Sequence, residues 1–220
     1  MPKHILVIVT SHNRIDDDHS TGIWFEEFAV PYTLFVQQGY KVTVMSPAGG
    51  DAPVDANSLD GYQSTAANEK AMAELKNLPA LNDSVRASDF DAVFFPGGHG
   101  TMYDLPDNPH VQRLIAECVM MDMPVAAVCH GPACLVKVSV DGKSIVDGRK
   151  VTCFTNSEEQ AVQLDKLMPF LLESRLRELG AIIVGADDWA DNTVIDGKLV
   201  TGQNPQSSGS AAEAIITLLT

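Results

Sequence analysis

A cysteine, a histidine and a glycine stand together in Ala126-Ala127-Val128-Cys129-His130-Gly131-Pro132, directly after an apolar run. A hydrophobic strand that stops at a cysteine, with a helix starting at once, projects the thiol from the top of a sheet, the geometry of a nucleophile elbow. The start of a helix also favours an anion, so a thiolate is expected at Cys129. The same residues also suit a buried structural cysteine followed by an ordinary turn. A second cluster, Phe95-Pro96-Gly97-Gly98-His99-Gly100, closes another apolar run. Its glycines bare backbone N–H groups, as an oxyanion hole or phosphate cradle requires, although a tight turn needing positive φ would use them equally. No GxGxxG or Walker sequence supports the phosphate reading. A third cluster, Gly22-Ile23-Trp24-Phe25-Glu26-Glu27-Phe28-Ala29-Val30-Pro31, sets two carboxylates among apolar residues. Successive helix residues point about 100° apart, so one acid can face solvent while the other faces the sheet top. A carboxyl buried there keeps its proton and can shuttle it. Acids that simply favour a helix start are the plainer account.

These clusters need a frame. Short β-branched runs alternate with amphipathic stretches along the whole chain. Strands are expected at 4–9, 41–45, 91–95 and 124–128, and helices at 23–38, stopped by Gly39, and at 108–121, opened by Pro109. A helix over 131–138 should follow the elbow. Two short strands at 144–145 and 150–154 are expected to form a hairpin through Asp147-Gly148. Beyond them lie a helix at 168–179, a strand at 181–184, strands at 193–195 and 199–201 around Asp196-Gly197, and a closing helix at 205–219. Residues 47–88 read as loop and short helix near the sheet edge. Such alternation means an α/β, three-layer sandwich: a mainly parallel sheet with helices on both faces. Ligands then sit at the carboxyl ends of strands, after Val9, at 96–100 and at Cys129.

The 220 residues carry 15 Lys plus Arg against 29 Asp plus Glu, a net charge of −14. That balance repels nucleic acid. No apolar run approaches the roughly 18 residues of a membrane span. One domain over 1–220 is the expectation at this length. Residues 4–9 read as a first strand and not as a signal peptide. Cys118, Cys129, Cys134 and Cys153 form no CxxC pair, which suggests reduced thiols in the cytoplasm. Cys118, Cys134 and Cys153 read as small buried hydrophobes. No local Cys/His spacing suggests zinc. The loop with His12, Asp16, Asp17, Asp18 and His19 could meet a metal ion, but a solvated loop is the simpler reading.

The three clusters together resemble the ThiJ/PfpI superfamily, with its class I glutamine amidotransferase-like, flavodoxin-type fold. The resemblance rests on Glu27-x-x-x-Pro31, Pro96-Gly97-Gly98-His99-Gly100 and Ala127-Val128-Cys129-His130-Gly131-Pro132. Thr21-Gly22, the Gly98-His99-Gly100 turn and Thr201-Gly202-Gln203-Asn204-Pro205 are most similar to its heat-shock chaperone and glyoxalase III branch. The resemblance implies that Cys129 is the nucleophile, His130 its neighbour, Glu27 the helix acid, and Gly98 and His130 the oxyanion amides. It implies an acid that orients the histidine, assigned to Glu159 with Glu158 as the alternative. Trp24, His99 and Tyr103 are expected to line a compact pocket. The implied activity is a cofactor-independent glyoxalase acting on a small 2-oxoaldehyde through a Cys129 hemithioacetal, in a homodimer, with no metal. Protein deglycation would draw on the same residues. Alternatives are a cysteine amidohydrolase or peptidase using Cys129, His130 and Glu159, and a non-enzymatic holdase or redox sensor.

Overall fold

The computed structural model describes residues 2–220. In chain order the elements are β1 (His4–Ile8), α1 (Phe25–Gln37), β2 (Lys41–Met45), α2 (Ala66–Glu74), β3 (Ala92–Phe95), α3 (Thr101–Asp104), α4 (Pro109–Met120) and β4 (Val125–Val128). There follow β5 (Ser139–Val140), β6 (Lys143–Ser144), β7 (Lys150–Val151), α5 (Asn156–Ala161), α6 (Leu172–Glu178), β8 (Ile182–Ile183), β9 (Thr193–Asp196), β10 (Leu199–Gly202) and α7 (Ser208–Leu219). Six strands make the central sheet in the order β2-β1-β3-β4-β10-β9. All neighbours in it are parallel except the β9–β10 edge pair. The chain runs to opposite sides from β1, so β1 and β3 border the point where strand order reverses and a crevice opens.

Side chains alternate across this sheet, as its pleat dictates. Leu6, Ile8, Val93, Phe95, Val125 and Ala127 enter one core with Leu114 and Ile115 of α4. Ile5, Val7, Phe94, Ala126, Val128 and Val200 enter the other, with Phe28 and Phe35 of α1 and Ile215 of α7. Local chemistry sets the ends of the helices. Asn108 accepts the N–H groups of His110 and Val111 at the start of α4, behind Pro109. Gly39, at φ 74°, lets the Tyr40 N–H return to the Phe35 carbonyl and close α1.

Several sequence expectations need correction. Residues 131–138 do not form an α-helix. Gly131–Leu135 is a short 3₁₀ segment, continued by a further i→i+3 bond from Val138 to Leu135. Pro132 cannot donate, and Gly131 is pressed against the Phe95 carbonyl. The hairpin is not at Asp147-Gly148. Asp141 and Gly142 both adopt positive φ, 53° and 76°, so they supply the tight turn joining β5 and β6. β7 instead pairs in parallel with β8 in a separate two-stranded sheet. α6 begins only at Leu172, behind an extended Leu171 at φ −77° and ψ 117°.

Candidate active site

The carboxyl ends of β1, β3 and β4 converge where the strand order reverses. Cys129 follows β4 directly at φ 58°, a left-handed conformation that strains any side chain bearing Cβ. Two backbone bonds clamp it there: its N–H donates to the Gly202 carbonyl and its carbonyl accepts from Phe154, each at 2.9 Å. The resulting elbow aims a thiol that is 4% exposed at a small cavity. The glycines around it are needed for space. A Cβ at Gly97 would lie 2.7 Å from the His130 nitrogen, and one at Gly98, where φ is 95°, would overlap the Gly22 carbonyl.

Glu27 reaches the sulfur from α1. It is fully buried, whereas Glu26 is exposed, so the helix separates the two acids as the 100° step requires. Oε2 of Glu27 accepts the Gly97 N–H at 2.7 Å. Oε1 has no nitrogen or oxygen partner, and the carboxyl's other hydrogen-bonding neighbour is the Cys129 thiol. Burial pushes the Glu27 pKa up to about 8, against the thiol and the Gly97 N–H, so the carboxyl holds its proton at neutral pH. Burial and the Glu27 charge also push the Cys129 thiol up, opposed by the Gly98 N–H directed at sulfur. The resting thiolate expected from the sequence is therefore reversed. The supposed helix behind the elbow is five residues of 3₁₀ turn, and the sulfur's hydrogen-bonding neighbours include an acid, Glu27, whose charge opposes the thiolate.

On the other side, Nδ1 of His130 lies 3.3 Å from Sγ. Its Nε2 lies 2.6 Å from Oε2 of Glu159. Oε1 of Glu159 is 2.8 Å from Nε2 of His99. With Nε2–H donating, Nδ1 is left free to accept the thiol proton. Burial, with His99 nearby, lowers the His130 pKa, so the imidazole rests neutral. Burial alone would raise Glu159, but His130 and His99 hold its carboxyl well below the usual range. Glu158, the alternative orienting acid, faces elsewhere: it closes a capping box with Thr155 at the start of α5 and accepts the Trp189 N–H.

The inner cavity, about 80 Å³, is lined by Trp24, Gly98, His99, Cys129, His130, Phe154, Val162, Trp189 and Pro205. Trp24, His99 and Val162 also border an outer cavity of about 600 Å³, whose rim includes Asp18, His19 and Asp55. Tyr103, expected to line the inner pocket, does not: its ring stacks on His12 and its hydroxyl donates to the Leu167 carbonyl. Phe154 and Trp189 were not singled out from the sequence. The available signal was a lone tryptophan in the acidic run Asp187-Asp188-Trp189-Ala190-Asp191. The acidic loop at 16–19 is exposed or half-buried, with Nδ1 of His19 2.7 Å from Asp16. The group that could hold a cation lies elsewhere: His99, His130 and Glu159 offer ligand atoms within 4.8 Å of one another. Three distant segments supply it, so no local spacing announces it. Cys134 and Cys153 are fully buried with thiols pushed well up, and burial pushes Cys118 to about 12.

The sequence profile of the DJ-1/PfpI family matches residues 24–218. The chain is 32% identical over 235 aligned residues to the glutathione-independent glyoxalase hsp3102 of Schizosaccharomyces pombe, covering 99% of this chain and 98% of that one. It is 29% identical to the glutathione-independent glyoxalase HSP31 of Saccharomyces cerevisiae, over 99% and 98% of the two chains. Among solved structures, glyoxalase III of Candida albicans superposes with a TM-score of 0.89 at 28% identity, covering 98% of this chain and 96% of that one.

Proposed function

The chain belongs to the DJ-1/PfpI family, and from that premise we propose that it is a glutathione-independent glyoxalase, converting a 2-oxoaldehyde such as methylglyoxal and water to a 2-hydroxy acid. Beside its relatives, the observation that carries this reading is a thiol set between a neutral imidazole and a protonated carboxyl. As Sγ of Cys129 bonds to the aldehyde carbon, Nδ1 of His130 takes the thiol proton. The carbonyl oxygen gains negative charge against the N–H groups of Gly98 and His130 and receives the proton of Glu27, giving a hemithioacetal. The Glu27 carboxylate then removes the hydrogen from that carbon. The bonding pair forms the carbon–carbon double bond of an enediol as His130 protonates the neighbouring oxygen. Glu27 returns its proton to the second carbon and takes the hydroxyl proton from the first, leaving a 2-hydroxy thioester. Water hydrolyses it, releasing lactate and the thiol. Glu159 holds the imidazole and stabilises its charged form.

The amidohydrolase alternative would use the same Cys129, His130 and Glu159; the relatives over the full chain favour the glyoxalase reading. We further propose that residues 1–220 act as one domain, as a homodimer, in the cytoplasm. Incubation with methylglyoxal in the absence of glutathione should yield lactate, and Cys129→Ala should not. Lactate formed equally by both proteins would refute the assignment.

A further inference from the structure

Trp189 is the least comfortable large residue near the site. Its φ is 64°, left-handed backbone that is strained for a bulky side chain. The surroundings hold it there. Glu158 is wholly buried, and five donors converge on its carboxylate. Oε1 accepts the Trp189 N–H at 2.9 Å and the side-chain amides of Asn204 and Gln203 at 2.9 and 3.2 Å. Oε2 accepts the N–H and hydroxyl of Thr155 at 2.9 and 3.1 Å. Gln203 and Asn204 also bind the loop backbone at Ala186, Asp187 and Ala190. The segment before β9 is thus fastened on both sides of the tryptophan. Its ring meets the edge of Phe154 at 5.6 Å, and Phe154 packs on His130 at 4.4 Å. Trp189 helps wall the inner cavity of about 80 Å³ that Cys129 also lines.

We propose that Trp189, locked by Glu158, is the specificity-determining residue that limits the substituent on the 2-oxoaldehyde to a short alkyl group and turns away aryl groups. This inference rests on the glyoxalase reading, so its test has one arm that needs no turnover. Trp189→Gly removes the indole and suits the left-handed backbone; Trp189→Leu shortens it. The ratio of kcat/KM for phenylglyoxal to that for methylglyoxal should rise about tenfold or more in Trp189→Gly and by a smaller factor in Trp189→Leu. In parallel, Cys129 is alkylated by iodoacetamide and by the bulkier N-phenylmaleimide. The bulky-to-small rate ratio should climb in the same order. Ratios unchanged from wild type in both arms would overturn the proposal. If no protein turns over methylglyoxal yet the alkylation ratio climbs, the glyoxalase reading fails and the size filter stands. If Trp189→Gly does not fold, Trp189→Leu decides alone, and an unchanged ratio in it is a refutation.

Discussion

Glu27 and Cys129 share a buried space in which both acids favour their protonated forms. Their titrations are therefore linked. Replacing Glu27 by Gln removes the charge that opposes the thiolate above pH 8. The apparent pKa of Cys129 alkylation should then fall, while glyoxalase turnover is lost. An unchanged alkylation profile would separate the two groups. Stability follows the same carboxyl. Its folded pKa, about 8, lies above the ordinary 4.5, so the folded chain binds the extra proton between those values. Its contribution is full below pH 4.5 and is lost as pH rises through 8. Glu27→Gln should therefore gain stability relative to wild type at pH 8 but not at pH 4.5, by a difference on the order of a few kcal/mol. Thermal melts at the two pH values test this, and an equal gap at both would contradict it. Of the thiols, only Cys129 should matter for turnover; Cys118→Ala, Cys134→Ala and Cys153→Ala should keep most of it. Glu159→Gln should lower kcat by roughly 10²–10⁴-fold, because the amide lacks the charge that stabilises the imidazolium and can set only one acceptor oxygen against the two imidazoles.

At the scale of elements, the site is made by turns at strand ends. Glycines follow β3 because the backbone there runs against the segment leading into α1, the Glu27 carboxyl and the elbow, with no room for Cβ. Gly98→Ala would meet both the Gly22 carbonyl and a φ of 95°. It should cost about 2 kcal/mol or more of stability and reduce turnover, since the same N–H faces the sulfur. Denaturant unfolding checks the first and steady-state rates the second. A stable, fully active variant would show that this turn is not what holds the thiol's surroundings. The elbow itself relies on no α-helix. Its rigidity comes from the β10 and Phe154 backbone bonds to Cys129, and pKa control passes from a helix dipole to side chains.

The whole molecule adds an entrance and exposed apolar surface. The acidic rim of the outer cavity suits a neutral aldehyde better than an anionic substrate. Met120 and Met121, 67% and 53% exposed at the end of α4, and Ile182 of β8 and Ile195 of β9, 51% and 53% exposed, leave apolar side chains at the surface. Covering such surface in a homodimer should give a sedimenting mass about twice 23.7 kDa at micromolar concentration. A species of 23.7 kDa would refute the dimer.

The sequence alone determined the layers of this protein and the chain-local parts of its site. Strand alternation, the apolar runs ending at Phe95 and Val128, and the glycines after β3 depend on neighbours in the chain, so pattern and turn chemistry reveal them. Glu27 could be separated from Glu26 by the family motif, and helical periodicity explains the result. The tertiary structure decided what arises between distant segments. It set Glu159 against His130 and His99, and gave Glu158 to the Trp189 loop. It chose Asp141-Gly142 over Asp147-Gly148 for the hairpin, two similar dipeptides that only strand pairing distinguishes. It also reversed the expected thiol pKa, because desolvation and the charge of a residue 102 positions away are properties of packing, which no local motif contains.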